Sequence, residues 1–190
     1  MKTYKVKIEG TTPLIWNRMK KELEDEKKAL KKDELSSWET NRKNWVRKAE
    51  FNDNGDVVIP EQWLEANLID ACRKTRMVPN FATTKSQTYT TYASSIMIRN
   101  LKDSICKEKD LQEHGEYVGA QGKNSSTKVW RVRPLLKKWT HEFEVIDPFG
   151  KMTLKELEEL ITYGGFILGI GDNRGCNYGR FEVKSIVVKK

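Results

Sequence analysis

No run of apolar residues in this 190-residue chain approaches the length of a membrane span. The opening Met1-Lys2-Thr3-Tyr4 lacks the apolar stretch of a secretory signal. A soluble, cytoplasmic protein with no membrane partner is therefore expected. Cysteine is scarce: Cys72, Cys106 and Cys176 lie far apart, are odd in number and form no Cys-x-x-Cys pair. That excludes a zinc knuckle and a disulfide framework and leaves three reduced thiols. The two histidines, His114 and His141, form no His-x-x-x-His pair, no acidic metal cluster accompanies them, and no Ser/His/Asp set can be placed by spacing. No metal and no cofactor is expected, and catalysis has little support. The apolar share is also low, 37%, against a charged share of 33%. Part of the chain is then expected to lie outside the core as a solvated helix or arm, although six Trp, six Tyr and six Phe argue against wholesale disorder.

What is present begins with a strand. Tyr4, Val6 and Ile8 alternate with Lys5 and Lys7, the period of a half-buried strand, and Gly10-Thr11-Thr12-Pro13 breaks it. Met19 to Glu34 is almost wholly charged, with pairs such as Glu24 and Lys28 at helical i,i+4 spacing, and reads as a solvated helix. A second helical stretch, Glu34 to Ala49, carries Leu35, Trp38, Trp45 and Val46 to dock on the core. Asn52-Asp53-Asn54-Gly55 is a turn before a short strand, Val57-Val58-Ile59. Pro60 then opens a helix with Trp63, Leu64, Asn67, Leu68, Ala71 and Cys72 at helical spacing. Arg76 to Lys128 reads as an insertion with hairpin character, and it includes the short apolar run Ser95 to Leu101. Val129 to Pro134 and Trp139 to Ile146 read as two strands joined by a turn, with His141 on the apolar side as a core histidine. Thr153 and Glu156 have the spacing of a capping box ahead of Leu154, Leu157, Leu160 and Ile161. Tyr178 to Val188 closes the chain as a strand.

Without the excursions, at about 19–50 and 76–128, the order is strand, helices, strand, strand, helix, strand. That order predicts an α+β, ferredoxin-like (RRM-like) domain over 1–190: an antiparallel sheet with two helices on one face. The other face is open. On it Lys5, Lys7, Arg131 and Arg133 are expected to project with Glu142 and Glu144, as cross-strand ion pairs.

The densest chemical signal is Gly164 to Phe181, which holds six of the twelve glycines. Glycine permits positive φ and close backbone approach, so amides can face phosphates, and Arg174 and Arg180 add charge. The order of elements excludes a dinucleotide-binding fingerprint, because this stretch ends a helix and leads into a strand. A P-loop is excluded because Gly-Lys-Ser/Thr is absent. Packing alone accounts for the glycines equally well. Charge distribution favours a ligand. The formal net charge is +8. No acidic residue lies between Asp70 and Asp103, or between Glu116 and Glu142, while the second interval carries Lys123, Lys128, Arg131, Arg133, Lys137 and Lys138. Such clustering suits contact with a phosphate backbone. Tyr89, Tyr92 and Trp130 lie in or beside these tracts as candidates to stack on bases, with packing the commoner fate for Trp130.

On the strand with Gly10-Thr11-Thr12-Pro13-Leu14-Ile15 and on Gly164 to Phe181, the chain resembles the RAMP superfamily of ferredoxin-like RNA-binding proteins, known from CRISPR effector complexes. It is also similar to a family of small phage and prophage proteins ending in GxGDxR…YGRF, which implies a bacterial host cytoplasm. The resemblance implies that the glycine-rich loop contacts a nucleic-acid backbone and that 76–128 acts like the thumb of a backbone subunit. Trp16 to Ala49 lacks the histidine that RNA-processing members carry near the first helix. The expected function is non-catalytic binding of RNA or single-stranded nucleic acid, with self-association along the ligand. The expected contacts are Gly169, Gly171, Arg174, Gly175, Gly179 and Arg180 in the loop, with Lys123, Lys128, Arg131 and Arg133 beside it. Two alternatives stand: an anti-defence protein that captures a small cyclic nucleotide or a host defence protein, and a metal-independent ribonuclease using His114.

Overall fold

The structure, a computed structural model, describes residues 1–17, 21–29, 45–75, 95–102, 104–119 and 128–189. A four-stranded antiparallel sheet forms its centre. β1 (Lys2–Gly10) and β8 (Thr140–Asp147) lie inside, β4 (Met97–Asn100) flanks β8, and β9 (Phe181–Lys189) flanks β1. Two helices, α2 (Glu61–Thr75) and α3 (Leu154–Tyr163), cover one face. With the short elements left out, the connectivity β1, α2, β4, β8, α3, β9 is the ferredoxin-like arrangement.

Strand alternation decides the two faces. Tyr4, Val6 and Ile8 of β1 and Phe143 and Val145 of β8 are fully buried beneath the helices. Each such side chain contributes about 1.5–3 kcal/mol relative to exposure. The helices answer with Leu64, Leu68, Ala71 and Cys72 from α2 and Leu157, Leu160 and Ile161 from α3. Pro60 caps α2, its carbonyl accepting from the Trp63 amide at 3.0 Å. Thr153 and Glu156 form the expected capping box on α3. The 52–55 turn is closed by Asn52, whose Oδ1 accepts from the amides of Asn54 and Asp56. His141 is a core histidine, 3% exposed and hydrogen-bonded to Asn100 at 2.8 Å. Burial pushes its pKa down to about 4.

The second outer strand differs from the sequence reading. β7 (Lys128–Leu136) was expected beside β8, but it belongs to a separate three-stranded sheet, between β2 (Leu14–Ile15) and β6 (Gln112–Gly119). The place beside β8 is taken by Met97–Asn100, from within the span read as an insertion. The bend at Lys137 and Lys138 carries the chain from one sheet to the other. Arg131 and Arg133 therefore leave the open face of the central sheet. His114, expected in a loop, lies in β6.

α1 (Lys21–Ala29) is charged outside and buries Leu23. It is tied to the short 3₁₀ turn Val46–Lys48 by Arg47 and Glu26, in two hydrogen bonds of 2.9 and 3.0 Å. Trp45 packs on the core. Leu35, Trp38, Tyr89, Tyr92 and Lys123 lie outside the described residues, as does the side chain of Lys128. Cys72, Cys106 and Cys176 are free thiols. A short two-stranded sheet pairs β3 (Asp56–Val57) with β5 (Cys106–Lys107).

Candidate nucleic-acid interface

α3 does not stop at a simple cap. It widens into a π-helical turn, Gly164–Leu168, and the chain returns to β9 through Gly169–Arg180. The base of this loop is tied at every step. The Gly179 amide donates to the Pro13 carbonyl (2.8 Å), Ile170 to Gly179 (2.9 Å), Asp172 to Ile15 (2.9 Å), and Thr11 to Arg180 (2.8 Å). From α2, the buried Asn67 amide donates to the carbonyls of Gly164 and Gly169, at 3.0 and 2.7 Å. The threonine-proline turn and the glycine-rich loop, distant in sequence, thus form one hydrogen-bonded body.

The loop glycines divide into two kinds. Gly179 has φ +68°, and a Cβ there would lie 1.8 Å from the Ile170 carbonyl oxygen. Its amide is spent on Pro13, so this glycine serves close packing and not amide display. Gly169 and Gly171 are similarly enclosed by neighbouring backbone. Gly175 has open space around it and belongs to an exposed 3₁₀ tip, Arg174–Cys176. Asn173 and Asn177 bracket the tip in left-handed conformations, φ 55° and 65°, which asparagine tolerates better than most residues.

Below the tip lies a polar cluster around one buried cation. Arg133 is 4% exposed and sits between Glu116 and Asp172, with Nε 3.0 Å from Asp172 Oδ2. Asn173 donates to Glu116 at 2.9 Å, and Tyr178 meets His114 at 3.2 Å. Burial, then the charge of Glu116, pushes the Tyr178 phenol upward. Arg133 is thus a buried clamp between β7 and the loop, withdrawn from the surface contact expected of it. Arg131, two residues along the same strand face, is only partly buried.

Around the tip the cations have no carboxylate partner among the described residues. They are Arg131, Arg174, Arg180, Lys137 and Lys138. Arg180 bonds the Arg174 carbonyl through Nη2 at 3.2 Å, while its Nη1 is covered and unpartnered. Lys137 and Lys138 are exposed on the bend before Trp139, whose backbone and indole bind Gly10 and Thr12 next to Arg180. Trp130 is engaged in its own hairpin, edge-on to Tyr117 at 4.8 Å and over Gly115.

The open sheet face is different. Lys5, Lys7 and Lys102 surround Glu142 at 3.3–3.7 Å. Arg99 and Lys189 hold Glu144, the latter at 2.7 Å. Hydrogen bonding, chiefly from Lys5 at Glu142 and from Lys189 at Glu144, lowers both carboxyls. The cross-strand pairing expected of Lys5 and Lys7 is present, with Arg99, Lys102 and Lys189 added by strands that sequence reasoning did not bring there. Sequence spacing carried no signal for Arg133 as a clamp or for Asn67 as a tie.

No protein-family model matches the sequence, and no curated protein matches it. Among solved structures, the chain is similar to a chain in the cryo-EM structure of the Type III-B Cmr-beta complex bound to cognate target RNA. The TM-score is 0.56 at 12% identity, over 100% of this chain and 61% of that one. The chain thus spans less than two thirds of that protein's length. At such identity the likeness is one of fold.

Proposed function

We propose that this protein binds single-stranded RNA without cutting it, at the end of the molecule formed by the glycine-rich tip, β7 and the Lys137–Lys138 bend. The observation that carries the reading is the contrast in pairing: Arg131, Arg174, Arg180, Lys137 and Lys138 form no ion pair with a described carboxylate, while the sheet-face cations do. Unpaired cations on a rigid base attract a phosphate backbone and release its counterions, so the affinity falls with salt. Gly175 at the tip leaves room for the backbone to approach. The similar chain in an RNA-bound complex supports a nucleic-acid partner. The resemblance to RAMP proteins, and to a phage-encoded backbone-like role with self-association along RNA, belongs to the same proposal.

The test is binding of a mixed-sequence single-stranded RNA across a salt series, by wild type and by Arg174→Ala/Arg180→Ala. The expected result is salt-sensitive binding that weakens in the variant while the fold is retained. Equal binding by both proteins removes the loop from the mechanism. No binding at low salt overturns the proposal.

A further inference from the structure

Beside the loop, on the side facing α2, a cleft of about 410 Å³ is lined by Asn17, Pro60, Gln62, Trp63, Gly171 and Asp172. Its volume falls within the range of small-molecule sites. The walls come from three places: the segment after β2, the first turn of α2, and the loop itself. Gly171 keeps it open on the loop side. It sits at φ +81°, and a Cβ there would lie 2.7 Å from the Ile15 carbonyl oxygen and 3.3 Å from the Trp63 ring. Trp63 is half-buried and leans on the fully buried Trp16, centroids 6.1 Å apart, so its position is set from behind.

The polar groups here are unspent. Elsewhere in the fold Asn52, Asn67, Asn100 and Asn173 all use their amides in hydrogen bonds. Among the described residues the amides of Asn17 and Gln62 and the indole N–H of Trp63 have no partner. Asp172 Oδ2 lies 3.0 Å from Arg133 Nε as an ion pair, and that oxygen accepts no hydrogen bond. An indole surface with two amides and one carboxylate oxygen provides stacking together with both donors and acceptors. Two other cavities suit a base attached to phosphate less well. The one at Asn52–Asn54 is lined by Glu50, Asp53 and Glu61, and the one at Phe166 and Ile167 is flanked by Glu158 and Glu159.

We infer that this cleft is a nucleobase site, selective for purines, in which Trp63 supplies the stacking surface and Asn17, Gln62 and Asp172 read the base edge. The inference rests on the RNA-binding proposal for the delivery of the base: a strand held at the tip has Gly171 and Asp172, in the same loop, to lead one base inward. Purines are favoured because the two-ring face gains more from an indole.

The test uses the full chain with adenosine monophosphate, uridine monophosphate, and single-stranded oligoadenylate and oligouridylate of equal length, so that charge is constant within each pair. The expected result is tighter binding of the purine member by roughly threefold, the modest preference that a larger stacking face adds to a contact every base can make. The preference should fall away in Trp63→Leu and shrink in Gln62→Ala and Asn17→Ala. The last two lie outside the buried core and test the site even if Trp63→Leu disturbs packing on Trp16. Preference in the oligonucleotides, with or without the mononucleotides, supports a base delivered by a strand. Preference in the mononucleotides with no oligonucleotide binding upholds the cleft but overturns the RNA-binding proposal. Salt-sensitive, equal binding of both oligonucleotides overturns the base site alone, as does a purine preference that survives all three substitutions. No binding of any probe overturns both.

Discussion

Two sets of cations among the described residues differ in what they pair with. On the open side of the central sheet Lys5, Lys7, Arg99, Lys102 and Lys189 gather on Glu142 and Glu144. At the loop end Arg131, Arg174, Arg180, Lys137 and Lys138 form no ion pair with a carboxylate of the described residues. The charge is shared out by strand geometry. On the sheet, register sets Lys7 opposite Glu142 and Arg99 opposite Glu144, and Lys5 reaches Glu142 on the diagonal, so cross-strand neighbours neutralise one another. At the loop end the available carboxylates, Glu116 and Asp172, are turned inward onto Arg133. A buried clamp therefore keeps the surface around it cationic, and formal charge alone does not locate a binding face.

Removing the clamp is the most severe way to break this contrast. Arg133→Ala leaves two carboxylates, both still partly exposed, without their buried cation and is expected to destabilise the fold by about 3 kcal/mol, the lower end for a buried pair, read by chemical denaturation. A value under about 1 kcal/mol would mean that the cluster does not hold the loop. Gly179→Ala follows closely, at roughly 3 kcal/mol, because its backbone conformation and the Ile170 carbonyl both oppose a side chain. Gly175→Ala in the same loop should stay within about 0.5 kcal/mol. Equal costs at the two glycines would contradict the division between tied base and open tip.

Acid sharpens the comparison on the sheet side. The lowered carboxyls of Glu142 and Glu144 contribute stability above the ordinary carboxylate range, and that contribution is lost as pH falls through their folded values. Beneath them, His141 is held neutral. Its depressed pKa means stability that is full above its ordinary value of 6.5 and declines as pH falls from there to about 4, by roughly 3 kcal/mol in all. Denaturation across pH should show the histidine-linked loss first, and His141→Gln should remove that phase. Smaller still is the effect of converting one region into the other. Glu142→Gln/Glu144→Gln frees the sheet-face cations, and it should steepen the salt dependence of RNA binding by about 0.7 in log–log slope for each cation newly engaged. An unchanged slope would confine the interface to the loop end.

Much of the scaffold was legible in the chain. Alternation marked β1 and β8, Pro60 and the Thr153–Glu156 pair marked the starts of α2 and α3, and the order of these elements implied the ferredoxin-like sheet. The missed strand is instructive. Met97–Asn100 is four residues long and carries a single buried side chain, Ile98, so it has too few alternations to register. β7 reads as a strand and directly precedes β8, which made a hairpin the natural reading. The two lysines of the bend give no local sign that the chain changes sheets. At the site, the glycines were legible as a loop and Arg174 and Arg180 as its charges. The burial of Arg133 was not legible, because a charged residue on a strand reads as exposed until its covering loop is placed.

By itself the sequence determined what short-range physics can settle: strand and helix periods, capping, turn chemistry, a basic surplus, and the absence of any spaced cysteine or histidine motif. Only the tertiary structure decided which strand completes the sheet and which arginine is a clamp rather than a contact. It also decided which glycines are tied by backbone hydrogen bonds, and that Asn17, Trp63 and Asp172 line one cleft. Those outcomes depend on contacts between segments as far apart as Pro13 and Gly179, and no local pattern encodes the partner on the far side of such a contact.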